Sequence, residues 1–434
     1  MTAALASRWA VMHGLPRAVL GRRARGGDPL ARLALGVGGW SVRHEAQEAL
    51  RLHGPVVTTD LGRVVVGHAA CREILRDRRW STVTPSDFGM PRPLQWLLDH
   101  TDPGLPNPVE PPSMLVTEPP MHTHYRQLVA RSFTPRAIEG IRGRVQDVSD
   151  RLLDSLAARS RSERTPHAGA ELIAEWATLL PADVIAELLR LPEGAVPDFV
   201  RWGEQAAPLL DAGLPWHTFR MAHSGLRSLD EFFARHFAQL RREEVDEHPF
   251  ARLVGDRELT DRELATNATL LVGAGFETTV NLLGNAVVLL LNRPDDLAAL
   301  RSDPSGWPNA IEEVLRLESP VQSTARLATE DIDVAGTRVP RGAIVTLLLA
   351  AGNRDPEVFD RPTDFDIRRA NARDNLAFGT GIHACIGSAL ARMEAAIALP
   401  ALFERFPDLA LDGPPTPRPL VNLHGYERIP VRLR

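Results

Sequence analysis

The sequence predicts a mostly α-helical chain with a small β part, an α+β class that rests on three observations. Helical periodicity dominates residues 121–242, one uninterrupted helical pattern covers residues 261–292, and short β-branched runs lie on either side. The 434 residues, 44% hydrophobic and 24% charged, supply ample apolar material for a large core. A net charge of −5 argues against a general nucleic-acid binder. No lysine occurs, so all 50 basic residues are arginines. The only cysteines are Cys71 and Cys385, which fits a reducing cytoplasm better than a disulfide framework.

Residues 1–27 read as an irregular, Arg-rich, loosely ordered extension, followed by one domain over residues 28–434. No sustained apolar run with a small-residue cleavage site occurs there, so neither a signal peptide nor a membrane anchor is expected. Residues 54–59 and 63–66 are β-branched around Leu61-Gly62 and predict two short strands. A helix follows from His68 to Arg76, with Cys71 expected as a small buried hydrophobe. Residues 81–120 are too rich in proline for one helix. Within them, the run from Leu94 through Trp96 to Leu98 can form one apolar turn. Such a stretch is either a lid over a binding site or a surface loop packed on itself.

The helical region breaks near residues 160–169, Pro192 and Gly213. Beyond the central helix come a helix over residues 308–317, strands over 331–339 and 343–349, a loop, and a last helix that contains Pro400, where a kink is expected. The central segment is long enough to span a membrane, yet Glu277 near its middle would cost about 2–4 kcal/mol there. Asn281 and Asn285 add to that cost, so a buried core helix is the better reading. Within it Gly275 removes a side chain, and Thr278 can bond back to a carbonyl one turn earlier. Together they can open the hydrogen-bond ladder to a ligand or water; close helix packing and a capped buried acid are the plain alternatives.

The sharpest local signal runs from Phe378 to Gly387, through Gly379, Gly381, His383 and Cys385. Its glycines permit positive φ and close approach of backbone to a flat object. The following residues are helix formers, so Cys385 stands at or just before a helix N-terminus, whose N–H groups and dipole favour a thiolate. A thiolate so placed can be a nucleophile or a metal ligand. His383 is awkwardly close in sequence for a nucleophile's base, and a structural zinc needs more thiols or clustered histidines. A single cysteine ligand with an open second axial position suits haem iron.

The segment Phe378…Gly381…Cys385…Gly387 resembles the haem-binding signature of the cytochromes P-450. Ala274-Gly275-Phe276-Glu277-Thr278-Thr279 is similar to that family's oxygen-activation motif, and Glu313-Val314-Leu315-Arg316 to its Glu-x-x-Arg pair. The likeness extends over residues 28–434 and is greatest to soluble, actinobacterial members. It implies a triangular helical domain with minor sheets enclosing haem b, with Cys385 as the axial ligand. Thr278 would hold dioxygen and a water, and Glu277 would help relay protons. Glu313 and Arg316, blindly an exposed surface pair, would be buried and would lock the cysteine loop. No third member of that pair is named, because the arginine often present near Asp364 is missing.

By the same resemblance His122, Arg126, Arg326 and His383 would meet the haem propionates, and Ala274, Gly275, Phe378, Gly379 and Gly387 would contact the haem. Glu118 stands where Asp is usual. Leu94, Trp96, Leu209, Leu210, Ala274, Thr324 and Leu423 would form the substrate wall. The reaction implied is insertion of one oxygen atom from O2 into an apolar substrate of natural-product or lipid type, in a cytoplasmic monomer. Electrons from NAD(P)H would arrive through a separate ferredoxin and ferredoxin reductase, the ferredoxin docking near Cys385 on Arg126 or Arg392. Two rival readings are a peroxide-driven peroxygenase and a non-catalytic haem-based ligand sensor.

Overall fold

The computed structural model describes residues 2–162, 169–192, 194–242, 251–256 and 258–433. Its organising element is the central helix, Asp261–Leu291. Thr260 begins it with a capping box: its hydroxyl accepts from the Glu263 amide (3.2 Å), and the Glu263 carboxylate accepts from the Thr260 amide (2.8 Å). Leu264, Val272, Phe276, Val280, Leu283 and Val287 are all fully buried, at most 0% exposed, so the helix is apolar on nearly every side because neighbours surround it. By length and hydropathy it could cross a membrane, yet 72% of its most apolar window is buried inside the molecule.

The polar groups of this helix show why it belongs in a protein core. Asn285 donates to the Glu318 carbonyl (3.0 Å) and the His424 carbonyl (3.1 Å), while Asn267 accepts from the Met114 amide (2.9 Å). Each amide thus pins a distant loop to the helix. Lipid would leave these groups without partners.

The helices Leu179–Leu188, Val196–Ala206, Trp216–Arg242, Trp307–Leu317 and Ser388–Arg405 pack around it. The last runs unbroken through Pro400. The β part lies to one side. Its largest sheet has the order Val56–Thr59, Gly62–Val65, Ile344–Leu347, Thr324–Ala328, Trp80–Ser81. Only the pairing of Gly62–Val65 with Ile344–Leu347 is parallel. The strand Thr324–Ala328 was not anticipated, because its residues lack clear alternation and only its two neighbours define it. A three-stranded sheet joins Gly169–Glu171 to Pro430–Arg432 and Ala410–Leu411, tying the chain end to its middle.

The N-terminal segment differs from its expectation. Residues expected to be irregular form the helices Thr2–Trp9 and Leu15–Arg25, joined by a π-helical turn, Ala10–Gly14. Arg8, Val11 and His13 are buried, so tertiary contacts rather than local propensity order this stretch.

Candidate active site around Cys385

The cysteine loop is held open by its own backbone. The Cys385 amide donates to the Phe378 carbonyl (2.9 Å), and the Gly379 amide to the Leu376 carbonyl (2.9 Å). Gly379 and Gly381 have φ of +61° and +79°. A β-carbon at Gly381 would sit 2.1 Å from the Leu75 carbonyl oxygen, so only glycine lets the loop press against the end of the helix His68–Arg76. Gly387 caps the helix Ser388–Arg405, and its amide donates to Cys385. Cys385 is exposed, yet the loop around it desolvates the thiol enough to push it up, against that amide and the charges of Arg126 and Arg392. A bound cation would overcome this and hold the sulfur as thiolate.

Two ion-pair clusters lock the loop at its two ends, both rooted in the helix Trp307–Leu317. Glu313 and Arg316 are fully buried, 0% exposed, and bidentate at 2.7 Å, the burial that the resemblance implies and spacing alone does not. Arg369 is the third member: its Nε lies 3.0 and 3.1 Å from the two Glu313 oxygens. Sequence reasoning missed it because the arginine lies further along the loop than the family's spacing suggests. Arg316 also donates to the Asn353 carbonyl (2.8 Å); Asn353 accepts from the Leu376 amide (2.6 Å), and Leu376 accepts from Gly379. The pair is therefore wired to the loop's first turn.

The second cluster was also missed. Glu312 accepts from Arg392 (2.6 Å) and Asn375 (3.1 Å), and the Arg392 guanidinium lies over the Phe378 ring at 4.4 Å. Adjacent acids at 312 and 313 were the available signal.

His122, Arg126 and His383 converge beside the loop, and Arg326 reaches the same region. The rings of His122 and His383 are 4.2 Å apart, and Arg126 donates to the Ala384 carbonyl (2.9 Å). His383 meets Glu118 at 3.3 Å. Arg326 is buried but bonds only to the Thr324 hydroxyl and the Ala325 carbonyl, with Glu118 as its one acidic influence. Among the described residues neither Arg126 nor Arg326 forms an ion pair. His122 is 2% exposed with its Nε2 unpartnered; burial, then His383 and Arg126, lower its pKa to about 4. One buried and one half-buried arginine without ion pairs among the described residues, beside a histidine short of an acceptor, fit a ligand that brings two carboxylates of its own. The thiol, the glycine loop and this donor set match haem b.

On the central helix, Thr278 donates to the Ala274 carbonyl at 2.9 Å, as expected. Ala274 is exposed although most of its helix is buried, and nothing lies within 4 Å of a β-carbon placed at Gly273. Two expectations change. The helix stays continuous here, and Gly275 packs against Ile185 (3.2 Å from a placed β-carbon), so close helix packing accounts for it. Glu277 is 2% exposed and ion-paired to Arg418, which lies between the paired strands Thr416–Pro417 and Tyr426–Arg428. Burial pushes its carboxyl up, and Arg418 opposes this. Its Oε2 has no partner among the described residues.

The residues expected in the substrate wall are scattered by environment. Leu94 and Thr324 are half-buried, and Leu423 is buried in a bridge to Val321. Trp96 is exposed and stacked on His100 at 4.1 Å, Leu210 is partly exposed, and Leu209 enters an apolar cluster with Leu105 and Phe219.

A fold of helices around one buried polar-studded helix, with a glycine-bound cysteine and unpaired cations beside it, defines a haem-thiolate class of protein. Residues 308–420 match the family described as Cytochrome P450. The chain is 40% identical to a protein named Putative cytochrome P450 140 from Mycobacterium tuberculosis, over 98% of this chain and 97% of that one. It is 39% identical to Cytochrome P450 monooxygenase PikC from Streptomyces venezuelae, with 89% of each covered. The crystal structure of P450BioI in complex with a hexadec-9Z-enoic acid-ligated acyl carrier protein superposes with a TM-score of 0.81 at 32% identity, covering 90% of this chain and 98% of that one. The chain belongs to the cytochrome P450 family, and it is a haem-binding monooxygenase.

Proposed function

We propose that this monooxygenase inserts one atom of O2 into an apolar small molecule, with electrons passed from NAD(P)H through a separate ferredoxin reductase and ferredoxin in the cytoplasm. The observation that carries the site assignment is the unpartnered His122 Nε2 beside Arg126 and Arg326, neither of which forms an ion pair among the described residues. In this reading Cys385 would hold the haem iron through its thiolate, and His122, Arg126, Arg326 and His383 would hold the haem's carboxylates. Haem supplies the oxygen chemistry when bound. The chain's own part is to exclude water, orient substrate and move protons. Thr278 presents its hydroxyl on the Ala274 side, one turn along the same helix face. Glu277, ion-paired to Arg418, would help relay protons towards it.

Leu94, Ala274, Thr324 and Leu423 form the apolar wall that selects substrate. The fatty acyl chain carried by the P450BioI complex supports a lipid or comparably extended apolar substrate. For electron entry, the ferredoxin would dock on the arginine-bearing face near Cys385, with Arg126 or Arg392 as its cation.

The ferrous protein with carbon monoxide should show the far-shifted Soret band of a thiolate ligand. Cys385→Ser should abolish that band while the far-UV spectrum is kept. A wild-type band at the position of a histidine-ligated haem would remove the assignment. With that band established, turnover should require ferredoxin and weaken with salt; equal turnover with hydrogen peroxide alone would favour the peroxygenase.

A further inference from the structure

We propose that His124, Asp256 and Glu258 hold a zinc-class divalent metal ion, which ties the helix Met121–Ala130 to the segment leading into the central helix. These side chains are a different set from those gathered around Cys385, and the inference does not depend on what that cysteine binds. The ligand atoms, one from each side chain, lie within 4.8 Å of one another. His124 Nε2 and Asp256 Oδ2 are 3.3 Å apart. Two ligands each ~2.1 Å from a tetrahedral zinc stand roughly 3.4 Å apart, so this spacing suits one shared ion.

His124 Nε2 is sealed from solvent and makes no hydrogen bond among the described residues, although the Asp256 carboxylate stands beside it. An ordinary histidine–aspartate hydrogen bond would be shorter and aligned. Asp256 is oriented from behind: its Oδ1 accepts from the Glu258 amide (2.8 Å), which leaves Oδ2 for the imidazole side. Both supports are fixed to the core. Beside His124, Tyr125 is buried and its hydroxyl donates to Glu263 (2.6 Å), in the cap of the central helix. Opposite, Leu253 and Val254 enter the same apolar cluster as Tyr125 and Val129, and Arg241 donates to the Val254 carbonyl (3.3 Å). Packing that needs no ion therefore brings the donors together, which lowers the cost of binding one.

One imidazole nitrogen with two carboxylate oxygens is a donor set for zinc and its neighbours rather than for calcium, which takes oxygen alone. The two carboxylates balance the ion's double charge. Glu258 is exposed, so water completes the coordination and the ion can exchange with solution. His122 and Arg126 lie on the same helix as His124. An ion bound there would thus stiffen the backbone beneath two residues of the Cys385 site.

The test uses haem-loaded protein with zinc alone as the ligand, followed by titration calorimetry. Haem loading matters because a free Cys385 thiol, or the His122–His383 pair, could take zinc itself. Wild-type protein should bind a single zinc ion with micromolar affinity. His124→Asn, Asp256→Asn and Glu258→Gln should each weaken that binding by about tenfold or more. Zinc should raise the unfolding temperature of the wild type but not of His124→Asn, since a ligand of the folded state alone stabilises it. Zinc K-edge absorption should show one imidazole and otherwise oxygen ligands at ~2.0–2.2 Å, without sulfur. No binding at micromolar zinc would overturn the site, as would a sulfur ligand. So would undiminished binding in His124→Asn, or in both carboxylate variants. Should His124→Asn or Asp256→Asn fail to fold, Glu258→Gln at its exposed position and the wild-type absorption spectrum decide by the same criteria.

Discussion

Two glycines of the cysteine loop separate backbone conformation from close approach. Both Gly379 and Gly381 have positive φ, but only Gly381 faces another chain segment. Gly379→Ala should therefore cost only the left-handed penalty, roughly 1–2 kcal/mol, in the apoprotein. Gly381→Ala adds a clash with the Leu75 carbonyl and should cost several times as much, with loss of haem retention. Urea unfolding and the haem-to-protein absorbance ratio would read both; equal costs would mean the Leu75 contact yields freely. Cys385 and the glycines around it were legible in the sequence because their chemistry is local. Arg418 was not, because its partner Glu277 lies 141 positions away and no local pattern links them.

The helix Trp307–Leu317 shows how one element positions a loop it does not adjoin. Its consecutive acids diverge, Glu312 towards the helix Ser388–Arg405 and Glu313 towards Arg316 and Arg369. Burying Glu313 is tolerable only because two guanidinium groups and the Asp366 amide (3.0 Å) saturate it. Arg369→Ala should leave that carboxylate short of one partner and destabilise the holoprotein by about 3–5 kcal/mol, the usual cost of breaking a buried pair. Arg369→Lys should recover only part, since an ammonium cannot match both oxygens. A loss below 1 kcal/mol in thermal or denaturant unfolding would show that Arg316 alone suffices. The Glu313–Arg316 spacing was readable in sequence; its burial came only from the family likeness, as identical spacing serves exposed helix pairs.

Across the molecule, acid should act in two stages. Burial first, then His223 and Arg8, lower His13 to about 4; burial, then Arg8 and Arg227, do the same to His223, with Asp102 opposing. Unfolded chains bind these protons from about pH 6.5 downward, so the stabilising contribution is full above that value and is lost as pH falls towards 4. The N-terminal helices, which carry His13, should loosen first. Glu318 follows: burial pushes its carboxyl up, but the His424 hydrogen bond and the charges of His424, Arg354 and His44 outweigh it and hold it at about 2. Its contribution, roughly 3 kcal/mol at most, is intact above pH ~4.5 and vanishes as pH falls to 2. Exchange at residues 5–17 measured from pH 7 to 4 checks the first stage. Protection independent of pH there would contradict it.

The sequence by itself determined the helical class, the membrane-length but core-destined central helix, and the thiol chemistry of the loop at Cys385. Each of these depends on residues within a turn or two of one another, where periodicity, turn chemistry and a motif's spacing are visible in one dimension. Tertiary structure decided the rest: the helical order of residues 2–25, the packing role of Gly275, the hold of Arg418 on Glu277, and Arg369 as the third member of the buried pair. Those depend on which side chains meet across long stretches of chain, and desolvation at such meetings, absent from any local pattern, sets whether a charge is a surface ornament or a structural necessity.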